Sequence, residues 1–216
     1  MTDYPNKYNY IVIEGNIGAG KTTLASMISE DFNARLVLER FAENPFLPKF
    51  YEDPARFAFP VELSFLAERY RQLKDEIVEQ DLFKSFTVAD YYFMKSLIFA
   101  NSTLERDEFN LYRQIFHIIY SSLPKPDLYV YLHVSPERLL QNIALRGREY
   151  EKTITASYLT DIQESYFSFF KQNSENRYLI LDVNSLDFVR NKNDYRLLVD
   201  TIFSEEFRPG MTTKIF

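Results

Sequence analysis

The run Tyr10-Ile11-Val12-Ile13-Glu14 is apolar and β-branched, as a buried strand must be, and it breaks directly into Gly15-Asn16-Ile17-Gly18-Ala19-Gly20-Lys21-Thr22-Thr23. This succession fits G-x-x-x-x-G-K-[ST] between a strand and a helix, the setting in which the motif has a mechanical meaning. Gly15 and Gly20 permit a backbone path that turns successive N–H groups toward phosphate oxygens, and Gly18 adds room within the loop. Lys21 contributes a point charge for the β- and γ-phosphates and Thr22 a hydroxyl for Mg²⁺. A helix opening inside Gly20-Lys21-Thr22-Thr23 and running to about Phe32 adds its N-terminal dipole.

A strand, loop and helix of this kind need a parallel sheet to sit in. Further short runs rich in Val, Ile and Leu supply it at Arg35 to Glu39, Ser85 to Asp90, Asp127 to Val134 and Arg177 to Val183. Helical patterns separate them at Pro54 to Glu79, Phe93 to Asn101, Leu104 to Ser122, Pro136 to Leu145, Thr155 to Lys171 and Asp194 to Phe203. The expectation is an α/β fold in three layers, a five-stranded parallel sheet flanked by helices, with ligands beyond the carboxyl ends of the strands. No linker or repeat divides the 216 residues, so one domain is expected over 1–216.

Composition removes several function classes. With 25 Lys+Arg against 31 Asp+Glu the net charge is −6, so no general positive field exists to hold a nucleic acid polymer. The absence of Cys removes disulfides, thiolate zinc sites and cysteine nucleophiles together. The start MTDYPNKYNY has neither the basic nor the apolar stretch of a signal peptide, and no run of about 18 apolar residues could span a membrane, so a cytoplasmic protein is expected. The 20 Phe and 16 Tyr suffice for a large core and for clamping a flat ligand.

Residues after the strand ends carry the remaining chemistry. Glu39 either takes a proton from a hydroxyl attacking a γ-phosphoryl group or serves as a capping or salt-bridged acid. Asp90 is placed to reach Mg²⁺, directly or through water, or to cap the next helix. Arg146 and Arg148, beside Glu149 and Glu151, either close over transferring phosphates or form a solvated charge run. His117 and His133 lack spaced partners and read as structural, and the tail Glu205 to Phe216 carries no interpretable motif.

Taken together, the order and spacing of four stretches resemble the deoxyribonucleoside kinase family, a branch of the P-loop kinases, over roughly Tyr10 to Lys171. The stretches are Ile13 to Thr23, Asn44 to Pro54, Phe57-Ala58-Phe59 leading to Phe65-Leu66-Ala67-Glu68-Arg69, and Leu145 to Glu151. The resemblance implies a three-layer P-loop kinase fold with a short lid at about 146–154, and Mg²⁺-dependent transfer from ATP to the 5′-hydroxyl of a deoxynucleoside in nucleotide salvage. By that resemblance Gly15, Asn16, Ile17, Gly18, Ala19, Gly20, Lys21, Thr22 and Thr23 hold the ATP phosphates, and Thr22 and Asp90 serve the metal. Glu39 becomes the base, Lys21, Arg146 and Arg148 the phosphate-facing cations, and Tyr51 and Glu151 the holders of the sugar 3′-hydroxyl. Arg69 lies in the substrate pocket, and the helix from Leu104 to Ser122 is one of a pair that form a homodimer.

The chain departs from the family pattern at several positions. Asp90-Tyr91-Tyr92 stands where relatives carry Glu/Asp-Arg-Ser, leaving Lys95, one helical turn on, either to supply the missing charge or to be an exposed helix residue. Asn142 replaces a lid arginine. Glu62 replaces a Gln, and as an ionised acceptor it suits the exocyclic amine of adenine or cytosine, unless it pairs with Arg69 seven residues later. The resulting expectation is deoxyadenosine as preferred acceptor, supported by the likeness of Asn44 to Tyr51 to bacterial deoxyadenosine kinases. A nucleoside monophosphate kinase of thymidylate-kinase type and a non-catalytic nucleotide-binding module are the alternatives.

Overall fold

The structure, a computed structural model, describes residues 7–40, 44–76, 83–121 and 123–216. Its centre is β1 (Tyr10–Gly15), which passes through the glycine loop into α1 (Lys21–Phe32). Then follow β2 (Arg35–Val37), α2 (Leu47–Glu52), α3 (Pro54–Glu76), β3 (Thr87–Ala89), α4 (Met94–Thr103), α5 (Arg106–Tyr120) and β4 (Leu128–His133). The chain closes with α6 (Pro136–Arg146), a 3₁₀ turn at Glu149–Glu151, α7 (Ala156–Gln172), β5 (Arg177–Asp182), α8 (Lys192–Ser204) and β6 (Gly210–Ile215). The expected continuation of α3 to Glu79 and the expected end of α5 at Ser122 fall outside the described residues.

All strand pairings are parallel, in the order β2-β3-β1-β4-β5-β6. The sheet therefore has six strands and not the expected five. The extra one, β6, comes from the tail: Gly210-Met211-Thr212-Thr213-Lys214-Ile215 has no apolar run because it lies at the sheet edge, with alternate residues exposed. Three further differences are local. The second strand stops at Val37, two residues before Glu39, α2 was not foreseen, and α5 starts two residues later than its pattern suggested.

The period of two sorts the sheet's side chains into two different cores. Ile11, Ile13, Val130, Leu132, Leu179 and Leu181 meet Leu24 and Ile28 of α1, Leu139 and Ile143 of α6, and Leu198 and Ile202 of α8. The opposite face presents Tyr10, Val12, Tyr129, Tyr131 and Tyr178 to Leu66 and Leu73 of α3, Ile98 of α4, Phe116 of α5, and Tyr166 and Phe170 of α7. Much of the chain's aromatic content is thus spent on one core.

Two glycines of the loop are obligatory on steric grounds. At Gly20, φ is 90° and a Cβ would lie 2.8 Å from the Phe188 ring. At Gly15, φ is 149° and a Cβ would lie 2.9 Å from the Leu132 carbonyl oxygen.

Between them and the core stands Glu14, on the aromatic side of β1. Its buried carboxylate accepts from the Tyr92 N–H at 2.9 Å and the Tyr166 hydroxyl at 2.8 Å, tying the loop's first residue to the β3–α4 connection and to α7. Burial raises its pKa, opposed by Lys95 and Lys21. Glu14→Ala leaves a main-chain N–H and a hydroxyl without their acceptor, at about 1–3 kcal/mol each. Urea denaturation is expected to show the midpoint lowered by a corresponding amount; an unchanged midpoint would show that the tie carries no stability.

Candidate active site

The glycine loop is built from within. Asn16, which is buried, donates through Nδ2 to the Leu159 carbonyl at 2.7 Å and accepts the Ile17 N–H at 2.8 Å, pinning the loop to α7. Asn142 donates to the Gly18 carbonyl at 2.9 Å, so the residue standing in place of a lid arginine braces the loop instead. Lys21 curls back, its Nζ donating to the Asn16 carbonyl at 2.8 Å. Burial and the neighbouring Lys95 lower its pKa to about 8, against the pull of Glu14, Glu39 and Asp90.

Asp90 ties three segments together. Its Oδ2 accepts the Thr22 hydroxyl and its Oδ1 the Glu39 N–H at 2.7 Å, so α1, the residues after β2 and the end of β3 meet on one carboxylate. No group of three or more His, Cys, Asp or Glu able to hold a metal occurs among the described residues. A hydroxyl and one carboxylate suit Mg²⁺ coordinated mainly by phosphate oxygens and water.

Glu39 lies beyond the end of β2, its side chain 8% exposed. Arg69 of α3 donates to Oε1 through Nε at 2.8 Å and a terminal nitrogen at 2.6 Å, while Lys95 of α4 reaches Oε2 at 2.5 Å. Burial raises the pKa of Glu39, but Lys95 and Arg69 outweigh it and hold the carboxyl at about 2. Lys95 is therefore no exposed helix residue: it is buried in the site.

Glu62 lines a cleft and does not take Arg69 as its partner. Arg69, seven residues on and so about 10 Å along the helix axis, turns to Glu39 and to the Ser96 hydroxyl at 2.8 Å. Glu62 Oε1 accepts the Thr103 hydroxyl at 2.9 Å and Oε2 has no partner. Burial pushes its pKa up to about 7 despite Arg69, Thr103 and Lys95. The sequence reading takes Glu62 as ionised, and its burial works against that charge.

The segment after α6 folds over the site. Arg146 grips Glu151 with contacts of 2.6, 2.6 and 3.1 Å, and Arg148 touches it at 3.2 Å, so neither arginine is merely part of a solvated charge run. Tyr150 stacks on Tyr51 of α2 with ring centroids 5.9 Å apart, and Thr153 donates to the Tyr51 carbonyl at 3.4 Å. Burial and the nearby Glu151 raise the Tyr51 pKa.

Two clefts meet at these residues. One, of about 780 Å³, runs from Lys21, Thr22, Arg146 and Arg148, past Glu39, Asp90, Lys95 and Arg69, to Tyr51, Glu62 and Glu151 and a wall of Phe50, Val61, Phe65, Phe99 and Tyr158. The other lies across the loop, bounded by Gly18 to Thr23, Asn142, Phe188 and Arg190. They share Gly18, Lys21, Thr22, Arg146 and Arg148. Of the loop residues named from the sequence, Gly15 and Asn16 act as support, whereas Ile17 lines the first cleft and Ala19, Gly20 and Thr23 the second.

Sequence reading missed the second cleft's far wall. Phe188 and Arg190 follow the end of β5, and the strand-end rule itself could have flagged them. Arg138, also there, has its guanidinium occupied by the carbonyls of Val183, Asn184 and Leu186. Ser96 and Thr103 carried no sequence signal.

Comparison with known proteins gives the same picture. A model of the deoxynucleoside kinase family matches residues 11–207. A deoxyguanosine kinase of Bacillus subtilis (strain 168) is 39% identical over 194 residues, covering 88% of this chain and 94% of its own length. A deoxyadenosine kinase of Dictyostelium discoideum is 31% identical over 183 residues, covering 83% of this chain and 74% of its own length. Among solved structures, the deoxyadenosine kinase of M. mycoides with dCMP and dCDP bound superposes with a TM-score of 0.78 at 25% identity, over 91% of this chain and 100% of that one.

The charge arrangement makes a testable statement about stability. A carboxyl held at about 2 in the folded chain, against an ordinary 4.5, stabilises the fold above pH 4.5, and that contribution is lost as pH falls toward 2. Glu14 and Glu62, whose pKa values are raised, act in the opposite sense, so the contribution of Glu39 is isolated by difference. The stability gap between wild type and Glu39→Gln, measured by urea denaturation, is expected to be wider at pH 6 than at pH 3. An equal gap would mean that Lys95 and Arg69 do not depress the pKa.

Proposed function

The chain belongs to the deoxynucleoside kinase family, and from that premise we propose that it transfers the γ-phosphoryl group of ATP, with Mg²⁺, to the 5′-hydroxyl of purine deoxynucleosides, deoxyadenosine among them. The observation that carries this reading is the meeting of two clefts at Lys21, Thr22, Arg146 and Arg148, which fits a donor and an acceptor approaching one set of phosphate-binding groups from opposite sides. The loop from Ile17 to Thr23, backed by Gly15 and Asn16, would hold the donor's phosphates, and Thr22 and Asp90 would hold the metal. Bound Mg²⁺ supplies charge neutralisation at the phosphate oxygens.

In-line phosphoryl transfer calls for positioning and electrostatics more than covalent chemistry. Glu39 accepts the 5′ proton. Lys95 and Arg69, which face the carboxylate from both sides, hold it ionised and aimed until the hydroxyl arrives. Tyr51 and Glu151 grip the sugar, and the apolar slot beyond them takes the base. The preference for a purine is supported by a deoxyguanosine and a deoxyadenosine kinase among the relatives. Glu62 does not exclude guanine, which offers the N1–H and the N2 amine to an acceptor.

This activity belongs to deoxynucleotide salvage in the cytoplasm. The proposal includes a homodimer, since α5 buries Tyr112 and Phe116 while Leu111 and Ile118 on its other side stay exposed. Light scattering at micromolar concentration is expected to return twice the monomer mass; a monomer mass would remove the dimer from the proposal.

The function is tested by supplying ATP and Mg²⁺ with each deoxynucleoside and each monophosphate in turn. Formation of deoxynucleoside monophosphate is expected. Turnover of monophosphates alone would transfer the chain to the monophosphate kinases. Glu39→Gln is expected to lower kcat by about 10²–10⁴-fold with KM for the nucleoside little changed, because the amide keeps the shape but cannot take the proton. An unchanged kcat would move the base elsewhere.

A further inference from the structure

Arg69 of α3 has two acids within reach and pairs with one of them. Its Nε and one terminal nitrogen both donate to Glu39 Oε1, at 2.8 and 2.6 Å, while Glu62, on the same helix, has Oε2 without a partner among the described residues. Glu62 still feels the guanidinium: of the charged groups acting on that carboxyl Arg69 is the strongest, whereas Glu39 acts on Arg69 more strongly than Glu62 does. A guanidinium carries its donors in one plane, so pairing with Glu39 along one edge leaves the other terminal nitrogen pointing elsewhere. What receives that nitrogen decides whether the fork can turn.

Ser96 receives it. The hydroxyl oxygen of this residue, buried on α4, accepts from Arg69 Nη1 at 2.8 Å. The hydroxyl is itself held, because it hydrogen-bonds the hydroxyl of Tyr112 on α5, which donates in turn to the Glu62 carbonyl at 3.3 Å. Ser96 and Tyr112 are both 0% exposed, so no solvent competes for these contacts. The guanidinium is thus fixed on two edges, by an acid and by a hydroxyl chained to the main chain of its own helix. With the Ser96 hydroxyl removed, Nη1 becomes a buried charged donor without an acceptor, which is costly, and Glu62 Oε2 is an acceptor without a donor.

We propose that Ser96 is a positioning residue for phosphoryl transfer: by occupying Nη1 it commits Arg69 to Glu39 and keeps it from Glu62. Ser96 touches no reacting atom and acts through Arg69. Its effect falls on Glu39, whose carboxylate has to face the 5′-hydroxyl. A guanidinium drawn to Glu62 leaves Glu39 held by Lys95 on Oε2, with Oε1 released. This inference rests on the reading of Glu39 as the base.

One substitution in two backgrounds tests this. Ser96→Ala is expected to lower kcat for deoxyadenosine about tenfold, the order of one hydrogen bond to a charged group, with KM for ATP unchanged. In a Glu62→Gln background, where the amide carries no charge to draw the guanidinium, the same substitution is expected to lower kcat by less than about twofold. A loss of packing alone costs the same in both backgrounds, so an equal loss would overturn the proposal. The crystal structure of Ser96→Ala supplies a readout independent of turnover: Arg69 is expected on Glu62, and a guanidinium still forked onto Glu39 would overturn the proposal as well. Arg69 found on Glu62 with kcat at the wild-type value would uphold the hold of Ser96 on Arg69 and overturn the reading of Glu39 as the base, so the two fail separately.

Discussion

The site depends on one buried carboxylate held between two buried cations. Glu39, Arg69 and Lys95 are each nearly inaccessible to water, with side-chain exposures of 5–8%, so each would be costly to bury alone. Together they satisfy one another: Arg69 forks onto Oε1 and Ser96, and Lys95 closes on Oε2. The three residues come from the segment after β2, from α3 and from α4, so the triad fixes the relative position of the elements that wall the acceptor cleft. It also occupies Arg69 and Lys95, two cations that act on Glu62. The depressed pKa of Glu39 and the raised pKa of Glu62 are two consequences of one allocation of charge.

The same economy governs the phosphate end. Arg146 and Arg148 rest on Glu151, and Lys21 rests on a main-chain carbonyl and feels Glu14, Glu39 and Asp90. Every one of these cations has an internal counterpart that an arriving phosphate must outcompete. Preorganisation of this kind keeps the positive groups ordered, and at Arg146 and Arg148 an arriving anion replaces a carboxylate already there. Glu151 is the more consequential counterpart: it lines the first cleft while gripping both arginines.

What could be read from the sequence follows from how local the signals are. The glycine loop, β1 and α1 are contiguous, and their period and spacing place Lys21, Thr22 and the glycines without tertiary information. Glu39 and Asp90 were legible because parallel sheets bring strand ends together. The edge strand β6 was not, because a strand half exposed to water has no reason to be apolar, and Thr212, Thr213 and Lys214 look like a tail. The partners of Glu39 and Glu62 were not legible either: Arg69 has two acids within reach, and only the depth of α3 and α4 above the sheet decides which one it meets.

Lys95 shows what that depth accomplishes. The family resemblance leads to an arginine at position 91, directly after the strand-end acid, but here Tyr91 is fully buried in the aromatic core. A sheet face lined with Tyr10, Tyr129, Tyr131 and Tyr178 has room for a ring at that position, and a guanidinium there would be surrounded by rings. The cation enters one helical turn later instead, where the axis of α4 points Lys95 over the Phe99 ring, 5.4 Å from its centroid, and onto Glu39. An ammonium is a compact point charge on a flexible stem, whereas a guanidinium is a rigid fork. The site therefore pairs a forked cation, Arg69, which donates through two nitrogens to Oε1, with a point charge, Lys95, on Oε2. With Tyr91 packed in the aromatic core, the second cation of the triad reaches Glu39 from α4, as Lys95.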